Sequence, residues 1–210
     1  MSDGIVKVNG NIATLGCKVD PEKDSVEIEE KIVAKEKEEL VYIMLNKPRG
    51  YITSLKQEDS DSPLVTDLVK GFGRIYPVGR LDKDSSGLLL LTNDGDFAFK
   101  LTHPSFNKEK EYLVSTKNPF PFSAVEKFVK GINIDGRKTI PAKCKKLGKS
   151  KFSIILREGR NRQIRKMVQK VGNRVETLKR VRIKDLTLGD LKEGSYRLLS
   201  NREVESLIDS

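Results

Sequence analysis

The sequence has few of the side chains that bind metal ions or form disulfides. It contains one histidine, His103, and two cysteines, Cys17 and Cys144, which lie far apart and show no CxxC spacing. Zinc sites group several such ligands at short spacings, so the sequence predicts no ordinary metal site. His103 precedes Pro104, which is typical of a loop residue, and a Ser-His-Asp triad has no other histidine to use.

Long apolar runs and nucleotide-binding motifs are also missing. No stretch approaches the roughly 18 consecutive apolar residues that a membrane-spanning helix requires. Residues 1–9 alternate polar and apolar side chains without the apolar centre of a signal peptide, so we expect a cytoplasmic protein with free thiols. There is no GxxxxGK[ST] phosphate loop, so ATP or GTP hydrolysis is not predicted. Any chemistry must therefore use carboxylate, tyrosine and basic side chains.

Positive charge is abundant and concentrated in one part of the chain. The net charge is +10, and residues 137–184 contain 18 lysines and arginines but only two acids, Glu158 and Glu176. Residues 20–41 show the opposite bias, with nine acids and four lysines. Solubility alone does not require such a dense basic block, whereas a polyanionic partner does. We therefore expect RNA or DNA as the partner, with a membrane surface as the second choice.

Hydrophobic periodicity predicts an α+β fold on a mixed, mainly antiparallel sheet with flanking helices. Strands are predicted at residues 5–15 (a hairpin turning at Asn9-Gly10), 26–33, 41–45, 51–52, 88–92, 112–115, 151–156 and, as short pieces, 175–199. Helices are predicted at residues 65–69, 123–130, 164–171 and 202–208. Residues 97–101 fit a helix or a strand, and Asp94 or Asp96 as an N-cap favours the helix. The charged stretch at residues 35–39 is typical of a linker, so we expect two domains, residues 1–38 and 39–210.

The segment VGRLDKDSSGLLLLTNDGD, residues 78–96, places acids next to the most apolar run of the chain. Leu88–Leu91 is a short apolar run bounded by turn residues, which predicts a buried strand. Asp84 with the following Ser-Ser-Gly fits an ordinary turn. Asp82 has Arg80 as a positive neighbour, and a partly buried carboxylate needs such a partner to stay ionised. Asp82 is therefore the candidate nucleophile or base.

Four segments resemble motifs of one enzyme family. GRLDKDSSGLLLLTNDGD resembles the GRLD-x-x-(S/T)-x-GLLLLTNDG signature of bacterial rRNA pseudouridine synthases of the RsuA/RluB-like group, which includes enzymes for the small and for the large ribosomal subunit. LNKPRGY looks like the family's KPxG motif, HPSFNKEKEYLV is similar to its HPS…EKxYxV segment, and EGRNRQIRKM with LKRVRI resembles its C-terminal basic motif. The motifs occur in the family's order across residues 41–210. The resemblance implies the pseudouridine synthase fold and an isomerase that acts on uridine in rRNA without cofactor, metal or ATP.

The resemblance also implies roles for individual residues. Asp82, the acid of GRLD, is the implied catalytic residue, acting in a closed apolar pocket while N1–C1′ breaks and C5 rejoins C1′. Tyr112 matches the tyrosine that packs on the target base, and Arg165 matches the basic residue that pairs with the catalytic acid. Arg80 is expected to support Asp82 or to occupy the space left by the flipped nucleotide. Contacts to RNA phosphate are expected from Lys47, Arg49, Arg160, Arg162 and Lys166.

The N-terminal residues depart from the family pattern. Family members begin with an RNA-binding S4 domain that starts with two helices, whereas residues 1–38 resemble only its later, β-rich half. We expect a partial S4-like segment without these helices. Either the chain is a fragment or it binds RNA mainly through residues 39–210.

The basic motif EGRNRQIRKM is closer to the large-subunit enzymes than to the small-subunit ones. We therefore expect a monomeric enzyme that acts on 23S rRNA, as naked rRNA or in a pre-ribosomal particle. Three alternatives stay open: a 16S rRNA target, a non-catalytic RNA-binding ribosome assembly factor, and a glycosidase that uses Asp82 and Asp84 as an acid–base pair. An assembly factor has no need of Asp82, Tyr112 and Arg165 together. A glycosidase requires Asp84 and releases a free base.

Overall fold

A computed structural model of the chain describes residues 6–20, 23–28, 31–32, 39–54 and 62–209. The chain forms two compact units, Met1–Glu39 and Leu40–Ser210. Among the described residues, no helix has the length and apolar character needed to cross a membrane. The predicted linker lies, apart from Glu39, outside the described residues.

The N-terminal unit contains a small antiparallel sheet in the order β2-β1-β3-β4, with strands β1 (Val6–Val8), β2 (Asn11–Ile12), β3 (Val26–Ile28) and β4 (Lys31–Ile32). The predicted first hairpin turns at Asn9-Gly10, where φ values of 50° and 79° give the left-handed backbone that a two-residue turn needs. The predicted single strand over residues 26–33 is wrong, because β4 runs antiparallel to β3 and forms a second hairpin. Ile5 and Val33 lie outside the described residues.

The described part of the second unit is built on a nine-stranded sheet. Its strands are β5 (Tyr42–Lys47), β6 (Tyr76–Val78), β7 (Ser86–Thr92), β8 (Lys110–Thr116), β11 (Lys143–Lys146), β12 (Lys151–Leu156), β13 (Val175–Ile183), β14 (Leu186–Thr187) and β15 (Tyr196–Leu198). Seven of them follow the order β11-β12-β8-β13-β7-β5-β15, while β14 pairs with β13 and β6 with β7. A separate two-stranded ribbon is formed by β9 (Asn133–Ile134) and β10 (Arg137–Lys138).

Strand β13 lies at the centre of this sheet. It pairs antiparallel with β8 and parallel with β7, and the other named strand pairs in the described part of the sheet are antiparallel. The predicted α+β fold on a mixed, mainly antiparallel sheet is thus confirmed. Residues 175–183 form one nine-residue strand and not the predicted short pieces, because β8 pairs with it from Val175 to Ile183 and β7 adds pairing at Lys179 and Arg180. The predicted strand at Ile52 is reduced to one isolated bridge with Leu64.

Four α-helices flank the sheet in the described residues: α1 (Gly95–Thr102), α2 (Phe122–Lys130), α3 (Gln163–Lys170) and α4 (Asn201–Ile208). Asp94 caps α1 by accepting a hydrogen bond from the Phe97 N–H at 3.0 Å. Gly131, with a φ of 80°, ends α2. The predicted helix at residues 65–69 is a 3-10 turn over Val65–Leu68.

The leucine run of β7 is buried on both faces of the sheet. Leu88 and Leu90 belong to an apolar cluster packed against α1 and α4, whereas Leu89 and Leu91 belong to a cluster on the opposite face. Burial on both faces explains why the strand is continuously apolar instead of alternating. The segment that carries Asp82 enters this core strand directly, so its backbone is anchored at the centre of the fold.

Candidate active site

The segment that carries Asp82 connects β6 to β7 and is held against the turn that follows β5. Thr53 Oγ1 donates a hydrogen bond to the Leu81 carbonyl at 2.8 Å, and the Gly50 N–H donates to the Lys83 carbonyl at 2.8 Å. The backbone is therefore bonded to another segment on both sides of Asp82. The turn predicted from LNKPRGY thus fixes the position of the candidate catalytic carboxylate.

Lys47, which we expected to contact RNA phosphate, is fully buried, so that prediction is wrong. Its ammonium donates to the carbonyls of Ser85 at 2.8 Å, Pro48 at 2.9 Å and Asp82 at 3.3 Å. The Lys83 carbonyl lies at 3.5 Å. Burial lowers the pKa of Lys47 to about 8, and the carbonyl dipoles compensate the charged form. Lys47 therefore joins the end of β5 to the Asp82 segment and does not reach a phosphate.

Two guanidinium groups lie beside the Asp82 carboxylate. Its Oδ2 is 3.7 Å from Arg165 Nε and 3.9 Å from Arg162 Nη1, and 29% of the Asp82 side chain is exposed. Arg162 is the N-cap residue of α3, with a φ of 52°, and Arg165 lies in the first turn of that helix. The start of α3 therefore balances the charge of a carboxylate that still has a solvent-accessible side.

Arg165 also binds the backbone of the Asp82 segment. Its Nη2 donates to the Asp84 carbonyl at 3.0 Å and to Ser85 Oγ at 3.2 Å. Burial, and then the charge of Arg162, lower the pKa of Arg165 below its ordinary value. Its Nε is buried and forms no hydrogen bond to any described residue. One side of the guanidinium is thus fixed to the protein, while Nε lies next to the Asp82 carboxylate.

Arg80 does not pair with Asp82. Its side chain is exposed, and the cations of the described chain within 4 Å of the carboxylate are Arg162 and Arg165. The expectation that Arg80 supports the ionised carboxylate is therefore wrong, because the side chain extends into solvent. Arg80 does line the same cavity as Asp82, so occupation of the space left by a flipped nucleotide stays a prediction.

Asp82 and Tyr112 line one cavity of about 550 Å³. Sites for small molecules span roughly 300–1,000 Å³, so this volume accommodates an extruded nucleoside. Tyr112 is a half-buried residue of β8 that packs against apolar clusters next to the cavity. The apolar part of the wall is formed by Leu81, Leu90, Leu156, Ile164, Leu178 and Ile183.

Arg160 has three of its five guanidinium N–H groups bound to protein acceptors. Nε donates to Glu158 Oε2 at 3.1 Å, while Nη1 and Nη2 donate to the carbonyls of Arg137 at 3.0 Å and Lys138 at 2.6 Å. The side chain therefore ties the loop before α3 to strand β10. The phosphate contact from Arg160 stays a prediction, and we expect it to be weaker than a contact from an exposed arginine, since three of its five N–H groups already have protein acceptors.

The other three residues predicted to contact phosphate, Arg49, Arg162 and Lys166, are more accessible to RNA than Lys47. Arg49 and Arg162 are exposed. Lys166 is half-buried and pairs with Asp135 at 2.6 Å, so a phosphate would have to compete with that carboxylate. Phosphate binding by these three residues stays a prediction.

Lys110 and Arg180 are two of the cavity-lining cations that the sequence did not single out. Both line the cavity that contains Asp82. A signal for Lys110 was present, because it lies two residues before Tyr112 and a strand places such residues on the same face. Arg180 lies in the quoted motif LKRVRI, where charge alone does not distinguish it from Lys179 or Arg182.

Comparison with known proteins connects this geometry to one family. Residues 41–170 match the family described as RNA pseudouridylate synthase. The ribosomal large subunit pseudouridine synthase B of Bacillus subtilis (strain 168) is 45% identical, over 99% of this chain and 86% of that protein. The dual-specificity RNA pseudouridine synthase RluF of Escherichia coli (strain K12) is 38% identical, over 99% of this chain and 71% of that protein.

A solved structure agrees with the sequence matches. The crystal structure of a pseudouridylate synthase superposes with a TM-score of 0.77 at 33% identity, covering 98% of this chain and 90% of that one. The family predicted from the four motifs is confirmed by the sequence relatives and by this fold. The chain therefore belongs to the RNA pseudouridine synthases, the isomerases that convert uridine into pseudouridine, and to the group that contains synthase B and RluF.

Proposed function

We propose that this enzyme isomerises a uridine of 23S rRNA and that the Asp82 carboxylate is its catalytic group. The observation that carries the proposal is the place of Asp82, at the wall of the cavity with Arg165 Nε 3.7 Å from its Oδ2. A carboxylate that acts as nucleophile or base must carry its charge and must reach the ribose or the base. The neighbouring guanidinium and the accessible side of Asp82 support both requirements.

The cavity suits a uridine that has left its stack. Extrusion costs a few kcal/mol, and contacts of RNA phosphate with exposed cations such as Arg49 and Arg162 would offset that cost. Tyr112 and the leucine wall offer a surface for the base, and a wall of this kind excludes water while the base is detached. We interpret residues 1–38 as an S4-like segment and assign to residues 39–210 the contacts that hold the uridine in the cavity.

Ribosomal RNA is supported as the substrate by the names of the relatives. The Bacillus subtilis protein is named for the ribosomal large subunit, whereas the Escherichia coli protein is named as a dual-specificity RNA enzyme. The 45% identity to the former, and the motif EGRNRQIRKM, favour 23S rRNA over 16S rRNA.

Asp84 is poorly placed for the second carboxylate of a glycosidase. Its side chain is exposed, and the Asp84 group that contacts the site is the backbone carbonyl bound by Arg165. A single catalytic carboxylate, as in an isomerisation, fits this arrangement better than an acid–base pair.

The test maps pseudouridine in both rRNAs at single-nucleotide resolution, by carbodiimide modification and primer extension. Cells with the intact gene are compared with cells that lack it and with cells that carry Asp82→Asn or, as the matched control, Asp84→Asn. We expect one 23S signal to disappear in the deletion and in Asp82→Asn and to persist in Asp84→Asn. With purified protein, Asp82→Asn should lower the rate by more than about 10³-fold while RNA affinity stays nearly unchanged.

Each other result has a definite meaning. A lost 16S signal would replace 23S rRNA by 16S rRNA as the substrate. Normal modification by Asp82→Asn would remove Asp82 from catalysis. Unchanged pseudouridine in the deletion, together with defective ribosome assembly, would favour the non-catalytic assembly factor. Loss of activity in Asp84→Asn with release of free uracil would favour the glycosidase.

A further inference from the structure

Lys110 and Arg180 line the cavity from the two central strands. Both line it together with Tyr112. In the antiparallel pair of β8 with β13, Arg180 lies opposite Tyr112, and Lys110 lies opposite Ile183. Residues opposite each other, and residues two apart in one strand, point to the same face of a sheet. Lys110, Tyr112 and Arg180 therefore share the face that bounds the cavity.

Arg180 is a buried cation with an unused donor. It is only 3% exposed, and its Nε donates to the Leu88 carbonyl at 2.7 Å. Its Nη2 is also buried but forms no hydrogen bond to any residue that the structure describes. Buried polar atoms are nearly always bonded, because leaving one unpaired costs free energy. An unpaired guanidinium nitrogen of a cavity-lining residue therefore indicates a ligand acceptor.

Lys110 has a similar surplus of donors. An ammonium group carries three N–H bonds, and the protein acceptor found for Lys110 Nζ in the described chain is the Lys108 carbonyl, at 3.2 Å. Burial, and then the charge of Arg180, lower the pKa of Lys110 to about 8. Two cations thus lie within electrostatic reach of each other beside the cavity.

The acids next to Lys110 in the sequence are engaged elsewhere. Glu111 pairs with Arg182 at 2.9 Å, and Glu109 pairs with Arg157 at 3.0 Å. Lys110 and Arg180 therefore repel each other, since their nearest acids are bound to other groups. A ligand that brings an electron-rich oxygen between the two cations relieves that repulsion.

We propose that Lys110 Nζ and Arg180 Nη2 form a cationic subsite that binds a carbonyl oxygen of the extruded uracil and holds the negative charge of the detached base. The inference rests on the proposed function, since it names the part of the cavity that receives the base. Asp82 does not neutralise this subsite, because its carboxylate lies beside Arg165 and Arg162.

The chemistry of the isomerisation requires such a charge acceptor. When the N1–C1′ bond breaks, N1 keeps the electron pair, and the charge spreads over the ring to O2 and O4. C1′ is left as a positively charged, electron-deficient centre, which the negative Asp82 carboxylate stabilises until C5 attacks it. The base then turns, a ring π pair of the base forms the C5–C1′ bond, C5 loses its proton and N1 takes one up. Atoms and charge balance without a co-reactant. Preorganised cations at a carbonyl oxygen stabilise the charged base and also keep it in the cavity while it turns.

The test uses a full-length 23S rRNA transcript labelled with [5-³H]uridine, which releases tritium to water when C5 loses its proton. Under single-turnover conditions, Lys110→Met should lower the release rate by about 100-fold, a typical loss for one donor at a site of developing charge. RNA affinity should stay within about twofold, since the side chain faces the base and not the phosphates. Lys110→Arg should stay within about tenfold of wild type. Lys151→Met is the matched control, because Lys151 is an exposed sheet lysine outside the cavity.

The outcomes separate the subsite from the proposed function. Equal release by wild type and Lys110→Met would overturn the subsite alone. A parallel loss of RNA affinity would also overturn it, because Lys110 would then be a phosphate contact. No release by wild type from the 23S or the 16S transcript would overturn the proposed function and the subsite with it. If Lys110→Met does not fold, Lys110→Gln replaces it, and equal rates for the Gln and Arg variants would overturn the role of the charge.

Discussion

Lys47 and Lys110 both lie in the second unit and are shielded from solvent, yet their ammonium groups have different partners. Burial lowers the pKa of both to about 8. Lys47 donates to three carbonyls within 3.3 Å, all of them in or next to the Asp82 segment. In the described part of the chain, Lys110 donates to one carbonyl, that of Lys108, at 3.2 Å, and it lines the cavity.

The number of bound N–H donors, more than burial or charge, therefore separates a structural cation from one that is available to substrate. Removing a saturated ammonium leaves several carbonyls unpaired, whereas an unsaturated one beside a cavity keeps donors for a ligand. Gly87 connects the two regions, because it lies opposite Lys47 in the β5–β7 pair and opposite Arg180 in the β7–β13 pair.

The largest effect is expected from Gly87→Ala. A Cβ atom at this position would lie 2.1 Å from the Arg180 carbonyl oxygen, and the φ of +103° is itself unfavourable for alanine. Since the contacted atoms of Arg180 belong to the backbone, one of the two strands must move. We therefore expect a loss of more than about 4 kcal/mol of unfolding free energy. Equilibrium unfolding in urea, followed by circular dichroism, measures it.

Gly136→Ala is the control for this substitution. Gly136 also has a positive φ, +75°, but a Cβ there meets no atom of the described residues within 4 Å. We expect it to lose only about 1 kcal/mol, the cost of the left-handed backbone. Equal losses in the two variants would contradict the close approach of β7 to β13, and with it the fixed placement of Arg180.

The second prediction tests the two lysines directly. Lys47→Met should lower the unfolding free energy by about 3 kcal/mol, because it leaves the buried carbonyls around Lys47 without a donor. Lys110→Met should change it by less than about 1 kcal/mol, because one carbonyl loses its donor while the repulsion from Arg180 disappears. Urea unfolding of both variants at pH 7 makes the comparison. Similar losses would show that the two lysines do not differ in role.

The sequence predicted well those features that depend on neighbouring residues. The run Leu88–Leu91 predicted a buried strand because apolar content and turn residues are local signals, and the segment Lys151–Leu156 matches β12 residue for residue. The pairing of Ile52 was predicted wrongly, since alternation does not reveal whether a neighbouring strand exists. The two-residue hairpin at Asn9-Gly10 was predictable because its backbone conformation depends on the turn residues themselves.

The candidate site was less accessible to sequence reasoning. The family motifs pointed to Asp82. They did not reveal that Lys47 and Arg160 donate hydrogen bonds to carbonyls and carboxylates of the protein. Most of those acceptors, such as the carbonyls of Ser85 and Arg137, come from segments distant in the sequence, so charge and local pattern contain no information about them. For the same reason Arg180 gave no signal, because its unpaired nitrogen is visible only once the three-dimensional partners are known.

The third prediction concerns pH. Because burial lowers the pKa of Lys110 to about 8, the ammonium is charged below that pH and neutral above it. The rate of tritium release by wild type should therefore fall as pH rises through 8, reaching about a tenfold loss one unit higher. Lys110→Arg keeps its charge and should show a flatter profile between pH 7.5 and 9. Lys47 titrates in the same range but is present in both proteins, so it does not produce a difference between them. Identical profiles would show that the charge of Lys110 is not used.

The smallest effects are expected from Arg162 and Arg160, which differ in how many of their N–H donors the protein already binds. Arg162 is exposed, whereas Arg160 donates from all three guanidinium nitrogens to protein acceptors. The logarithm of the RNA affinity falls linearly with the logarithm of the salt concentration, and the slope reflects the number of phosphate contacts. Arg162→Ala should make this salt slope shallower by the amount expected for about one phosphate contact. Arg160→Ala should leave that slope nearly unchanged and lower the unfolding free energy by about 1 kcal/mol.

Filter binding of the 23S transcript across a salt series, with urea unfolding of both variants, measures the two quantities. An unchanged slope in Arg162→Ala would remove it from the RNA contacts, and a reduced slope in Arg160→Ala would show that RNA displaces its protein acceptors.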